Sequence, residues 1–265
     1  MDTHFIARQF EQIGARARIR AGLGRNAPSG LAVDIRRDDC GEFFDIELGA
    51  TPPRELAVLD VQPRLRHLLL MSRDDAGKHK FLCGHDERHW FVAAVPERLN
   101  ASTVRTAFDA LRPAGVHQEL SRRGVRRKDW NRRRNDAFLR QGEWFFVPQP
   151  DLSFPDLLIL RNEPLRRGRG KPHLCEQLVR SGGEVVYVSP QHPNGIREAQ
   201  HRKLMSRRPE LRHLHWVVQR RNPDVFVRGR VRHADHKTIV LDGWHRVLMN
   251  TETQAIAMRH VAFID

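Results

Sequence analysis

The sequence has no long hydrophobic run. No apolar stretch among its 265 residues approaches the roughly 18 residues that a membrane-spanning helix requires. Residues 1–24 also lack the uninterrupted apolar core of a secretory signal peptide. Their Arg-rich amphipathic pattern is typical of an organelle transit peptide, but Asp2, Glu11 and the scarcity of serine count against one. We therefore expect no membrane partner.

Cysteine is equally scarce. Cys40, Cys83 and Cys175 are odd in number and far apart in the chain. Such spacing does not form the disulfide framework of a small secreted protein. The chain is therefore expected in a reducing cytoplasm.

Several common catalytic motifs are missing too. The chain contains no GxxxxGK(S/T) phosphate-binding loop and no GxSxG nucleophile elbow. No paired CxxC of a zinc module is present either. These absences argue against a P-loop nucleotide hydrolase and against an α/β-hydrolase.

Positive charge, by contrast, is in excess. The chain carries 46 Lys and Arg against 32 Asp and Glu, a formal net charge of +14 and a pI of about 11.0. A surplus of this size concerns partners rather than fold, and nucleic acid is the commonest acidic partner. An anionic membrane surface and an acidic protein are the alternatives. The 40% apolar content is sufficient for a folded core.

The cations concentrate in segments 122–134, 161–171 and 197–212 and on one face of a hairpin predicted within 224–252. Most are arginines, which bind phosphate with a planar fork and stack on bases, although an arginine bias also accompanies a GC-rich genome. Trp130 lies in the densest run, where it either stacks on an unpaired base or anchors the segment to the protein's own core. The predicted nucleic-acid-binding residues are Arg122, Arg123, Arg126, Arg127, Lys128, Trp130, Arg132, Arg133, Arg134, Arg166, Arg167, Arg169, Lys171, Arg228, Arg230 and Arg232.

Apolar periodicity predicts an α+β fold of antiparallel sheets with a few flanking helices, in two sub-domains. Six short strands are expected over 31–95, and the hairpin of Val225–Arg232 ends in a His-Ala-Asp-His turn. A second turn is expected at Asp242–Gly243. The predicted helices are 4–20, 102–112, 173–181, 196–206 and a C-terminal helix that begins with Thr251 and Gln254 as a capping box. The predicted units are a helix and β-meander over 1–115, a basic connector over 116–135 and an α+β unit with the hairpin over 136–265.

Fifteen histidines are present, and the hairpin turn holds the best candidates for catalysis. Imidazoles transfer protons near neutral pH, so two histidines with a cation are able to cleave RNA without a metal. Alternatively His233, Asp235 and His236 bind a metal that activates water, or the histidines only bind phosphate and cap strands. The predicted catalytic residues are His233, Asp235, His236, Lys237 and His245.

A second histidine group is rich in metal-binding side chains. Cys83, His85, His89 and Cys175 would form a tetrahedral zinc set if their two segments met. Their spacing matches no zinc module, and a lone cysteine is more often buried like a small apolar residue. No cofactor is required by the sequence, but zinc or another divalent metal is compatible with both histidine groups.

Three functions follow from these patterns. The leading hypothesis is a nucleic-acid-binding protein with an Arg-rich surface, for which RNA is preferred because unpaired bases suit a mixture of arginine and tryptophan. The second is a phosphodiesterase or nuclease centred on 233–245. The third is a basic adaptor subunit that docks an acidic protein or a ribonucleoprotein.

Overall fold

The computed structural model describes residues 2–22, 30–167, 170–256 and 258, apart from the side chain of Arg98. Within these ranges the helices are α1 Thr3–Gln12, α2 Val104–Leu111, α3 Ala114–Arg122 and α4 Glu198–Arg207. The strands are β1 Ala17–Ala21, β2 Leu31–Asp38, β3 Gly41–Leu48, β4 Glu55–Gln62, β5 His67–Asp74, β6 Gly77–Asp86, β7 His89–Val95, β8 Leu139–Gln141, β9 Trp144–Pro148, β10 Leu160–Leu165, β11 His173–Ser181, β12 Glu184–Ser189, β13 His192–Arg197, β14 Val217–Arg221, β15 Asp224–Arg232 and β16 Ile239–Met249. The α+β prediction is confirmed. None of the helices in the described ranges is long and apolar enough to cross a membrane.

The first half of the chain contains two sheets that share a core. A four-stranded antiparallel meander, β4–β7, packs on a three-stranded sheet of order β1-β3-β2. Large side chains such as Phe10, Phe44 and Phe81 fill the space between them and are fully enclosed. The β2–β3 hairpin and the meander follow the predicted strands, because period-two apolar alternation and Asp/Gly turns determine them locally.

The helix predicted over 4–20 is too long. α1 ends at Gln12, and Gly14 adopts a positive φ of 76°, a conformation that favours glycine and ends the helix. Of the arginines that follow, Arg18 and Arg20 belong to β1, which pairs parallel to β3, and Arg16 immediately precedes it. Arg16 bonds Asp38 at 2.6 Å, and Arg20 bonds Asp45 at 3.0 Å. These cross-strand pairs explain why arginines alternate here without a helix.

The other face of the meander is covered by α2, as predicted. Val104, Ala107 and Leu111 bury one side of the helix against β5–β7. The N-cap is Thr103, since the Thr103 hydroxyl accepts from the backbone N–H of Thr106 at 3.2 Å.

Gly84 on β6 permits close approach of a buried ring. A Cβ at this position would overlap Cδ2 of His67 and lie 2.6 Å from its Nε2. Gly84→Ala is therefore expected to lower the free energy of unfolding by about 1–3 kcal/mol, the usual cost of overpacking, as measured by urea denaturation. Gly243→Ala is the matched control, because its added Cβ meets no atom within 4 Å. Equal losses in the two variants would contradict this explanation.

The second half is built on a six-stranded antiparallel sheet of order β10-β11-β15-β16-β9-β8. Residues 173–181, predicted as a helix, form the strand β11, which lies between β10 and β15. Leu174, Cys175, Leu178 and Val179 have helical spacing because the register shifts between Cys175 and Gln177. This bulge puts Cys175 and Leu178 in the same core, which interrupts the alternation expected of a strand.

The hairpin predicted within 224–252 is present as β15 and β16. The second turn expected at Asp242–Gly243 is wrong, because β16 continues from Ile239 to Met249. The register passes from Val227↔His245 to Gly229↔Leu241, so the expected turn residues form a bulge within one strand.

Residues 182–223, here called the insertion, connect β11 to β15, two strands that pair directly with each other. Ser181 at the end of β11 lies opposite Asp224 at the start of β15. Between them the chain forms a three-stranded sheet of order β13-β12-β14 and the helix α4. The helix predicted over 196–206 is thereby confirmed.

The connector predicted over 116–135 is structured and packed. Val116 and Leu120 of α3 are buried against Phe145 and Val147 of β9. The proposed boundaries of the sub-domains stay a prediction.

The chain then returns to the first half after β16. Thr251, buried, donates its hydroxyl to the carbonyl of Ala110 at 2.7 Å, and Ala255 joins the core of the first half. In place of the predicted helix, Glu252–Gln254 form a 3-10 turn. The remainder of that prediction, residues 257 and 259–265, falls outside the described residues.

Candidate functional site

A cavity of about 420 Å³ lies where the two halves meet. Residues from β2, β3 and β7 line one side, and residues from β8, β11 and the loop between β15 and β16 line the other. Aromatic rings, including Phe91, Phe108 and Trp130, form much of the wall. The cavity thus combines an aromatic wall with many charged and imidazole groups.

Three histidines converge at one end of this cavity. His173 begins β11, and His233 and His236 lie in the loop after β15. The ring centroids of His173 and His233 are 4.3 Å apart, and those of His233 and His236 are 4.7 Å apart. One nitrogen from each ring lies within 4.8 Å of one from each of the others. We call these residues the three-histidine cluster.

Strand pairing brings the cluster together. Leu174 of β11 is opposite Arg232 of β15, so the residues on either side, His173 and His233, become neighbours. The loop is then fixed at Lys237, whose N–H donates to Glu87 at 2.9 Å and whose carbonyl accepts from Gln141 at 2.6 Å.

The turn between β8 and β9 closes over the rings. Gly142 has a positive φ of 55°, and an added Cβ would be 3.3 Å from Nε2 of His236 and 3.9 Å from the ring of His173. A larger residue at this position would press on two members of the cluster.

Buried polar atoms around His173 have no hydrogen-bond partner. Its side chain is 2% exposed, and neither ring nitrogen has a partner among the described residues. The same holds for Oε1 of Gln141 and Nε1 of Trp144, and the Trp144 ring centroid is 6.4 Å from that of His173. Such atoms are rare in folded proteins and call for a water, an ion or a catalytic role.

All three imidazoles are held in the neutral form. Burial lowers the pKa of His173 to about 3. The nearby His233 and His236 lower it further, because protonated imidazoles so close together would repel one another. Burial is also the largest cause of the lowered pKa values of His233 and His236. Neutral imidazoles retain the lone pair that a metal ligand requires, so the cluster is in its ligating form at pH 7.

Two carboxylates flank the cluster. Asp235 is 2.8 Å from Nζ of Lys171 and 3.9 Å from Nε2 of His89. Glu87 lies 3.5 Å from Nδ1 of His236 and 2.7 Å from Arg133. The Glu87 contact is of the kind that orients a metal-ligating histidine.

His233 has a defined hydrogen-bonding pattern of its own. Its Nδ1 accepts from the N–H of Asp235 at 3.1 Å, and its Nε2 lies 3.3 Å from the carbonyl of Lys171. Ligation through Nε2 would place the imidazole proton on Nδ1 and would therefore replace both of these contacts.

The donor set suits a transition metal. Three imidazoles favour Zn²⁺, Cu²⁺, Ni²⁺ or Fe²⁺ over Mg²⁺ or Ca²⁺, which prefer oxygen ligands. In catalytic zinc sites three protein ligands leave a fourth position for water or substrate. The unpartnered nitrogens of His173 fit such a role.

The structure brings together some of the predicted catalytic residues and separates others. His233 and His236 meet as expected, with Asp235 beside them. Lys237 is exposed, and its backbone N–H and carbonyl make the two hydrogen bonds described above. His245 pairs with Val227 in the interior of the sheet. At the usual rise per residue of a strand, this position is roughly 15 Å from the loop that holds His233 and His236. The structure therefore corrects the inclusion of His245, because β16 is one continuous strand.

The structure does not assemble the predicted zinc set. Cys83 is buried in the core of the first half and Cys175 in that of the second. Burial raises the pKa of both thiols, that of Cys175 to about 12, which disfavours the ligating thiolate. His85 packs edge-on against Trp90, and His89 binds Glu42 at 2.6 Å.

Much of the predicted basic run is neutralised. Glu119 binds Arg122 and Arg123, while Asp129 binds Arg126 and Arg132. Arg133 is paired with Asp86 and Glu87. In this run only Lys128, Arg134 and Arg127 have no carboxylate partner among the described residues, and the guanidinium of Arg127 lies over Trp130.

Trp130 itself serves the protein's own packing. Its Nε1 donates to the carbonyl of Val125 at 2.7 Å, and its ring packs on the α3 core. The self-anchoring alternative is therefore the one observed.

The other predicted nucleic-acid-binding residues have mixed environments. Arg166 is exposed, Arg167 pairs with the buried Glu252, and Lys171 pairs with Asp235. Arg169 lies outside the described residues. Of the hairpin arginines, Arg228 bonds Gln177 and lies over Trp244, Arg230 bonds Glu176, and Arg232 bonds Asn162.

Sequence reasoning missed two residues of the cavity. His173 lies in the segment that the apolar spacing predicts as a helix, and Arg140 carries no local signal. The bulge in β11 was the obstacle for His173, since only its pairing with β15 shows the proximity to His233.

Comparisons with family models, curated proteins and solved structures give no match to this chain. The function is therefore inferred from the site alone.

Proposed function

We propose that the protein is a metal-dependent phosphodiesterase in which His173, His233 and His236 bind a divalent transition metal, with zinc as the first choice. The observation that carries this proposal is the convergence of three neutral imidazoles on one point of a cavity, with both nitrogens of the buried His173 unpartnered. Protein structures seldom leave such groups unsatisfied without a ligand.

The chemistry would be hydrolytic. A bound metal of this kind lowers the pKa of its water and so provides a nucleophile at neutral pH. Glu87 lies 3.5 Å from Nδ1 of His236, near enough to accept a hydrogen bond from it once the ring turns slightly, while Lys171 holds Asp235 beside the cluster. The metal-free alternative, with paired histidines as acid and base, is less favoured because burial keeps His233 and His236 neutral and so weakens them as proton donors.

The substrate class follows from charge. A net charge of +14 attracts polyanions, which makes a phosphodiester of nucleic acid the preferred substrate and RNA the first to test. The unpaired state of Cys40, Cys83 and Cys175 supports a reducing, cytoplasmic setting as part of the proposal.

The test combines metal analysis with cleavage. Purified protein is expected to retain about one Zn²⁺ per chain after dialysis, as one three-histidine site allows. It should also hydrolyse bis-para-nitrophenyl phosphate and labelled single-stranded RNA, and both activities should disappear in EDTA and return with Zn²⁺. His4→Gln, an exposed substitution on α1, is the control. RNA cleavage that survives EDTA would instead support paired histidines, and no metal with no cleavage would refute the proposal.

Nucleic-acid binding without turnover is the second candidate, and the insertion favours it. Residues 182–223 carry eight Lys and Arg against three Glu. An aromatic series accompanies them, with ring centroids 4.1 Å apart for Tyr187 and His201 and 4.6 Å apart for His201 and Trp216. A salt-sensitive RNA mobility shift without cleavage would favour this candidate. The absence of both a shift and cleavage would favour the adaptor hypothesis.

A further inference from the structure

Arg140 of β8 lines the cavity and is half-buried. Burial lowers the pKa of its guanidinium to about 10, which still leaves it charged at pH 7. Its closest described ring is that of Phe108, with the guanidinium carbon 5.6 Å from the centroid. It therefore presents a positive charge against an aromatic wall.

Arg140 differs from every other cation that lines the cavity. Each of the others has a carboxylate partner: Arg36 with Asp45, Arg37 with Glu42, Arg112 with Asp109, Arg132 with Asp129, Arg167 with Glu252 and Lys171 with Asp235. Within the described part of the chain, the guanidinium of Arg140 has neither an ion pair nor a hydrogen bond. The cavity thus contains one uncompensated arginine.

The nearest acidic group is already engaged. Glu87 raises the pKa of Arg140 through its charge, but its oxygens are bound by Arg133 and by the N–H of Lys237. Burial lowers the pKa values of Arg112 and Arg133, and repulsion by the charge of Arg140 lowers them further. The surroundings of Arg140 are therefore electropositive.

A half-buried charge without a partner loses part of its hydration, and no ion pair or hydrogen bond offsets that loss. Arginine presents five donors in a planar fork that matches an oxyanion. We propose that Arg140 is the receptor for a phosphate group that enters the cavity, with the aromatic wall beside the organic part of the ligand. As an assignment of substrate class this rests on the proposed phosphodiesterase, but phosphate binding by Arg140 does not require the metal.

The experiment uses the full chain, freed of metal by EDTA, in buffer with a constant chloride concentration. Inorganic phosphate is titrated, and binding is followed by calorimetry and by the shift in the thermal unfolding midpoint. Wild-type protein is expected to bind phosphate and to be stabilised by it. Arg140→Met should weaken phosphate affinity about 10- to 100-fold, the loss typical of a charge-assisted contact. Arg140→Lys should retain part of the affinity.

Arg140→Met has a second expected effect that a merely structural arginine would not give. In the absence of phosphate its unfolding midpoint should rise above that of wild type, because the variant removes an unpaired half-buried charge. Arg105→Gln is the control, since Arg105 is exposed on α2 and outside the cavity. This control should bind phosphate as wild type does.

The proposal is overturned if Arg140→Met binds phosphate as tightly as wild type, or if wild type shows no phosphate binding. Failure of the metal site gives a different result. In that case His173→Gln and wild type would both be inactive, while the phosphate affinity of the wild-type protein would still depend on Arg140.

Discussion

Replacement of His173 by glutamine is expected to abolish stoichiometric zinc binding and to lower phosphodiester hydrolysis by more than about 100-fold, since even residues that only support a metal ligand contribute about 10- to 100-fold. His173 is the most buried member of the three-histidine cluster, and its two ring nitrogens are unpartnered. Glutamine keeps a polar group of similar reach but not the imidazole lone pair. Metal content per chain and the rate with bis-para-nitrophenyl phosphate are the two measurements.

His245→Gln separates this structural site from the one expected from sequence. His245 was grouped with His233 and His236, yet it lies within β16 and bonds the carbonyl of Gly243 at 2.8 Å. Its substitution is expected to leave zinc content unchanged. Loss of zinc in His245→Gln but not in His173→Gln would show that the three-histidine cluster is not the metal site.

Acidification from pH 6.5 towards 4 is expected to remove about 3 kcal/mol of stability through His67 alone, at about 1.4 kcal/mol for each unit of pKa shift. Burial lowers the pKa of this 8%-exposed histidine from 6.5 to about 4. Below pH 6.5 His67 is protonated in the unfolded chain but stays neutral in the folded protein. Protonation therefore stabilises the unfolded state relative to the folded one. The contribution is complete above pH 6.5 and is lost as the pH falls towards 4.

The measurement is urea unfolding at a series of pH values between 7 and 4.5 in metal-free protein. Because a domain has only about 5–15 kcal/mol of stability, the loss should be plain in the midpoints. His67→Asn removes the titration and keeps a donor in place of Nδ1, which now lies 2.5 Å from the Leu65 carbonyl. The variant should show a shallower dependence on pH. Identical slopes for the variant and wild type would exclude His67 as the source.

Local patterns were sufficient for much of the fold. The β2–β3 hairpin, the meander, α2 and the β15–β16 hairpin follow from alternation, turn residues and helix caps, which depend on neighbours in sequence. Two of the failures share one cause, which is irregular pairing. The bulges in β11 and β16 disturbed the period and produced a false helix at 173–181 and a false turn at Asp242–Gly243.

The site was only half predictable for the same reason. His233 and His236 are three residues apart, so one loop brings them together. His173 is 60 residues away from His233 and meets it only through the pairing of β11 with β15. Arg140 is distinguished from the other arginines of the cavity only by the lack of a carboxylate partner among the described residues, which the sequence does not show.

Charge counting had a related limit. The run from 122 to 134 looks uncompensated in sequence because only Asp129 lies within it. Arg133 finds its partners in Asp86 and Glu87, more than 40 residues earlier in the chain. Net charge therefore predicts attraction to polyanions, but not which arginines are free to contact them.

The insertion has a consequence for how this protein can diversify. It leaves the sheet at Ser181 and returns at Asp224, two residues that already face each other, so a tight turn would close the same hairpin without it. The three-histidine cluster lies at the opposite end of those two strands, about 25 Å away at the rise of a strand. Residues 182–223 thus behave as a cassette, which evolution or an engineer is able to shorten, exchange or recharge while the end with the three-histidine cluster keeps its scaffold.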